Sequence, residues 1–185
     1  MVARKKISHY IPLVFIGIGL IIIGFVAIKL ISYGSSSTRD YSVIPAKVSF
    51  PAPELILEDL NGNKVSLADF RQQILLINNW AIWCPPCKAE MPTLERYFMD
   101  HRDQGFALLG INAGDPLDQV TGFVNDYVIT FPVLLDPHNT AMAAFNNDNL
   151  PNSYVIDRDG NVVLAWTGPI NREMLEKYVT PLLEQ

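Results

Sequence analysis

The residues best suited to chemistry sit together in one stretch. Trp83-Cys84-Pro85-Pro86-Cys87 holds both cysteines of the 185-residue chain, with two residues between them. Such a pair either exchanges electrons as dithiol and disulfide or supplies half of a four-ligand zinc site. Zinc needs further ligands, but there is no second cysteine pair, and His9, His101 and His138 are scattered without ligand spacing. Redox exchange is the better fit. Pro85 and Pro86 suit a first helical turn, where an N–H has no intrahelical partner to lose, so a helix should start at or near Cys84. A thiol there feels the positive end of the helix dipole, which can lower its pKa from about 8.5 into the range of about 3.5 to 7.5. Cys84 is therefore expected as the exposed nucleophile. Cys87, one turn on, is expected to resolve the mixed disulfide. Neither proline has an N–H to offer, which leaves Cys87 as the main backbone donor to the Cys84 sulfur and predicts a weakly stabilised thiolate, hence a reducing couple.

The surrounding pattern must hold this pair in place. Ile74-Leu75-Leu76-Ile77 reads as a buried parallel strand, and Cys87, Met91, Leu94 and Phe98 recur at helical spacing to about Asp100, with Pro92 as an expected kink. Glu54–Glu58 and Lys64–Leu67 flank Asn61-Gly62 and read as an N-terminal β-hairpin. Strands are expected over Phe106–Ile111, Val133–Leu135, Tyr154–Asp157 and Val162–Trp166. Helices are expected over Asp115–Tyr127, Thr140–Phe145 and, capped by Asn171, to near Leu183. Together these give an α/β class with a central mixed sheet flanked by helices.

From Tyr10 to Ile28 no residue is charged, and Arg4, Lys5 and Lys6 precede the run. That length and basic bias predict one transmembrane helix with its N-terminus in the cytoplasm and the rest outside. The expected organisation is a cytoplasmic N-terminus at 1–9, an anchor at 10–31, a linker at 32–49 and a folded domain at 50–185. A cleaved signal peptide would have a shorter apolar region and a small-residue cleavage site. After Asp40 the chain carries 9 Lys and Arg against 18 Asp and Glu, a net charge of −9. This acidity argues against a nucleic-acid partner.

Trp-Cys-Pro-Pro-Cys-Lys-Ala-Glu-Met-Pro, then Phe131–Asp136 and Leu150-Pro151-Asn152-Ser153-Tyr154-Val155-Ile156-Asp157-Arg158-Asp159-Gly160, resembles the thioredoxin fold in its membrane-anchored TlpA/ResA branch, from about Phe50 onward. The resemblance implies a thiol-disulfide oxidoreductase outside the cytoplasmic membrane with no cofactor beyond its dithiol. It also implies a disulfide-containing protein substrate such as apocytochrome c, and a membrane thiol-disulfide electron donor. Pro151 matches the family's cis-proline, and Leu150 is the residue whose backbone pairs with substrate. Glu90 and Asp115 match two acidic positions near the cysteines. Glu90 lies three residues from Cys87, on the same helix face, and is expected as its base. Asp115 has a second reading as the cap of the following helix.

Trp83, with Pro85 and Pro86, is expected at a substrate-binding lip, Trp80 and Trp166 in the core, and Lys88 either near the thiolate or in solvent. Asn78 replaces the buried aspartate of thioredoxin and cannot exchange a proton near neutral pH. Asn79 stands where the family usually has an aromatic residue. Two alternatives remain: a peroxiredoxin-like peroxidase, disfavoured because no Thr-x-x-Cys surrounds Cys84, and a copper carrier using the thiols and a histidine such as His138.

Overall fold

A run of fully buried residues forms the centre of the sheet. Every side chain of β4 (Ile74–Trp80) and β5 (Phe106–Asn112) is buried, the pattern of parallel strands covered on both faces. The computed structural model describes residues 44–184. In chain order the other strands are β1 (Ala46–Pro51), β2 (Ile56–Asp59), β3 (Lys64–Ser66), β6 (Val133–Leu135), β7 (Asn152–Ile156) and β8 (Asn161–Thr167). They make one sheet of order β1-β8-β7-β4-β5-β6-β2-β3, in which β4, β5 and β6 run parallel and the remaining neighbours pair antiparallel.

The helices are α1 (Pro85–His101), α2 (Leu117–Asp126), α3 (Thr140–Ala144), α4 (Arg172–Tyr178) and α5 (Thr180–Leu183). On one face of the sheet, Met91, Leu94 and Tyr97 of α1, Val120 and Phe123 of α2 and Leu175 of α4 pack with Leu76, Trp80 and Trp166. On the other, Ala141 and Phe145 join Leu75, Ile77, Leu109 and Tyr154, with Leu67 from a short 3-10 turn. Gly110 lets the first face close: a Cβ there would lie 2.9 Å from the Phe131 ring and 3.1 Å from the Trp80 indole nitrogen.

The hairpin expected near Asn61-Gly62 is β2–β3, and Asp59 Oδ1 accepts the N–H groups of Asn61 and Asn63 to close its turn. Two differences from the sequence reading stand out. β1 begins at Ala46, inside the segment expected as linker, because its mostly exposed residues become a strand by pairing with β8. The C-terminal helix divides at Val179, with Pro181 in the first turn of α5. As expected, α1 runs through Pro92 as one helix. Among the described residues no helix is long and apolar enough to cross a membrane, and the anchor expected over 10–31 lies outside them.

Candidate active site

Cys84 ends the loop leaving β4 and is the N-cap of α1, with Pro85 and Pro86 in the first turn. Cys84 and Cys87 form a disulfide, so this is the oxidised state. The Cys87 N–H donates to Cys84 Sγ at 3.3 Å, the backbone contact left available when two prolines follow Cys84. The expectation of an exposed Cys84 needs correcting for this state. The residue is 3% exposed and Cys87 0%, and both belong to the core cluster that includes Trp80, Ala81 and Met91. Around them the surface is open: Trp83 is 69% exposed, and Pro85 and Pro86 are exposed too. Lys88 is half-buried, while Trp80 and Trp166 are in the core.

One turn after Cys87, Glu90 is buried on the sheet side of α1. Its Oε1 accepts from Asn78 Nδ2 at 2.7 Å and its Oε2 from the Ile170 N–H at 2.8 Å. Burial outweighs these two donors and pushes its pKa up to about 8. Asn78 Nδ2 also donates to Ser153 Oγ at 3.0 Å, and Asn78 Oδ1 has no hydrogen-bond partner among the described residues. The amide thus links the carboxylate on α1 to the strand that follows Pro151.

The Leu150–Pro151 peptide is cis, and Pro151 is buried with Leu150 half-exposed. The carbonyl of Pro151 accepts from the Gly168 N–H at 2.8 Å, tying this segment to the end of β8. Asp115 does not cap α2, whose N-cap is Pro116 with no side-chain bond. Its Oδ2 instead accepts from the Ile82 N–H at 2.7 Å and from Asn112 Nδ2 at 2.9 Å. It therefore fastens the loop two residues before Cys84 to the end of β5.

Sequence reasoning did not single out Asn112, Ser153 or Ile170. Asn112 and Ser153 carried a signal, as polar residues in apolar strands. Ile170 carried none, since it acts through its main chain. For copper, His138 is exposed, and among the described residues no group of three or more His, Cys, Asp or Glu is placed to hold a metal ion.

Comparison with known proteins agrees with this geometry. The model of the AhpC/TSA family matches residues 48–165. Thiol-disulfide oxidoreductase ResA of Geobacillus kaustophilus is 33% identical over 132 residues, covering 71% of this chain and 76% of the relative. ResA of Bacillus subtilis is 32% identical over 128 residues, covering 69% and 72%. Among solved structures, a thioredoxin-family thiol:disulfide interchange protein from Chlorobium tepidum is similar with TM-score 0.67 and 27% identity, over 75% of this chain and 99% of that one. A DsbF homologue from Corynebacterium diphtheriae is similar with TM-score 0.69 and 26% identity, over 76% and 94%. With the paired cysteines at the strand-to-helix turn after β4 and a cis-proline just before its neighbour β7, the chain belongs to the AhpC/TSA family as a ResA-like thiol-disulfide oxidoreductase of thioredoxin fold.

Proposed function

We propose that this oxidoreductase reduces protein disulfides on the outer side of the cytoplasmic membrane, with apocytochrome c as a substrate and a membrane thiol-disulfide protein as electron donor. The Cys84 thiolate attacks one substrate sulfur. A mixed disulfide forms with the attacked sulfur, and the other substrate sulfur leaves as a thiolate that takes up the proton Cys84 gave up on ionising. Cys87 then gives its proton to the Glu90 carboxylate and attacks Cys84 Sγ, and the attacked substrate sulfur leaves as a thiolate that receives that proton from Glu90. The enzyme ends as the Cys84–Cys87 disulfide and the substrate as two thiols, so two electrons and two protons pass with no further cofactor. Trp83, Pro85, Pro86 and the Leu150 backbone form the docking lip, and Asp115 holds the approach loop.

The observation that carries the reducing direction is that, among the described residues, one backbone N–H donates to Cys84 Sγ, that of Cys87 at 3.3 Å. A thiolate with little hydrogen bonding favours the oxidised enzyme, and hence gives up electrons readily. A glutathione titration should place the couple nearer thioredoxin, about −270 mV, than DsbA, about −120 mV; a DsbA-like value rejects the direction. The outward location is supported by the charge-free run from Tyr10 to Ile28 behind Arg4, Lys5 and Lys6. The protein should then fractionate with membranes and react with an impermeant thiol reagent added from outside. Release of a soluble form beginning after Tyr33 contradicts the anchor. Cys87→Ser should trap the substrate as a mixed disulfide in cells, and a trapped set without cytochrome apoproteins removes that assignment. Ala81 occupies the position of the threonine in Thr-x-x-Cys, so catalytic peroxide consumption is not expected.

A further inference from the structure

Asn79 is a polar side chain in an apolar setting. On β4 it follows Leu75 and Ile77 at every second position, so it shares their face, away from α1, and it is 1% exposed. Its register partner is Asn152, in the last pair of the β4–β7 ladder, one residue beyond Pro151. Asn79 Nδ2 donates to Asn152 Oδ1 at 2.7 Å. Asn152 Nδ2 in turn donates to two carbonyls of the preceding loop, Asn149 at 2.6 Å and Asn147 at 3.3 Å. Two buried amides therefore join the strand leading to the cysteines to the loop that presents Leu150.

The orientation of each amide follows from its partners. Two carbonyl oxygens face one end of Asn152, so that end must be the nitrogen and the other the oxygen. Asn79 must then present its own nitrogen, which leaves Asn79 Oδ1 without a partner among the described residues. A buried, unpaired carbonyl is costly, and native structures hold few of them. An aromatic side chain at this position, the family's usual choice, would avoid that cost but would leave Asn152 Oδ1 without its donor. We propose that Asn79 is a positioning residue for substrate docking: through Asn152 it fixes the loop from Asn147 to Leu150, and with it the main chain that a protein disulfide pairs against.

The proposal rests on the reading that substrate docks beside Pro151. It is tested by comparing the full-length protein with Asn79→Leu, of similar volume, and Asn79→Ala, which adds none should leucine not be accommodated. Insulin serves as the protein disulfide and hydroxyethyl disulfide as a substrate too small to pair with the loop. The KM for insulin should rise roughly 3- to 10-fold, the scale of one buried hydrogen bond. The kcat should stay within about twofold, and turnover of hydroxyethyl disulfide and the reduction potential should not change. An unchanged insulin KM, or equal losses on both substrates, overturns it. If the unaltered protein reduces no insulin, the docking reading fails by itself. The latch is then judged in the oxidised protein by hydrogen exchange at the Asn149 and Leu150 amides, where faster exchange in the variants supports it and unchanged exchange overturns it.

Discussion

The carboxylate of Glu90 accepts the main-chain N–H of Ile170, although 80 positions separate them. This bond and that from Asn78 hold a buried acid one turn from Cys87, with a pKa of about 8. Glu90→Gln should therefore slow release of the mixed disulfide more than its formation. In the unaltered protein the release rate should climb towards pH 8 as the carboxylate ionises, and the defect of the variant should shrink at higher pH as Cys87 ionises unaided. Stopped-flow traces of the two phases check this; equal slowing of both returns Glu90 to a structural role.

The same shift makes a stability prediction for the oxidised protein. Unfolded, Glu90 ionises near 4.5; folded, near 8. Between those values the native state holds a proton that the unfolded state has lost. Stability from this group is thus fully present below about pH 4.5 and lost as pH rises to about 8, at up to about 1.4 kcal/mol per unit. Glu90→Gln should flatten that slope, and its amide can be met by turning Asn78 so that the unpaired Oδ1 faces it. Urea unfolding at pH 5 and pH 8 should show the variant gaining on the parent only at the higher pH.

Asp115→Ala leaves the Ile82 N–H without its acceptor and releases Asn112. A loss of about 1–3 kcal/mol is expected, together with faster alkylation of reduced Cys84 as the approach loop loosens. Asp115→Asn keeps one acceptor oxygen and should lose less. Equal stability and alkylation rates for both variants and the parent would show that the loop holds itself.

Gly110→Ala places a methyl group against the Phe131 ring and the Trp80 indole. Phe131 has little room to give, because it meets Phe98 edge-on at 6.1 Å between centroids. Overpacking of this kind costs about 1–3 kcal/mol. The urea midpoint should fall with an unchanged slope, and a wild-type midpoint would mean the ring shifts freely.

Much of the fold was legible because its elements announce themselves locally. The apolar run at Ile74 became β4, the Cys87-Met91-Leu94 spacing became the buried stripe of α1, and Asn61-Gly62 became a turn. β1 was missed because its side chains are largely exposed, so it shows little buried-face pattern and owes its conformation to β8. At the site, the cysteines, Glu90 and Pro151 could be placed from spacing and resemblance. The Cys84 burial, the Asp115 bond to Ile82 and the Ile170 contact could not, since each depends on segments far apart in sequence that meet only in the folded chain.

The two ends of the sheet differ from its centre in what they offer other chains. An edge strand presents unpaired N–H and C=O groups to which a foreign strand can add. Here β3 is three residues long and opens with Lys64, while β1 carries Lys47, shifts register between Lys47 and Phe50, and ends at Pro51, which has no N–H to donate. Both edges are thereby made poor templates. Such edges keep extended segments of other chains from adding to the sheet and building up on it as aggregates.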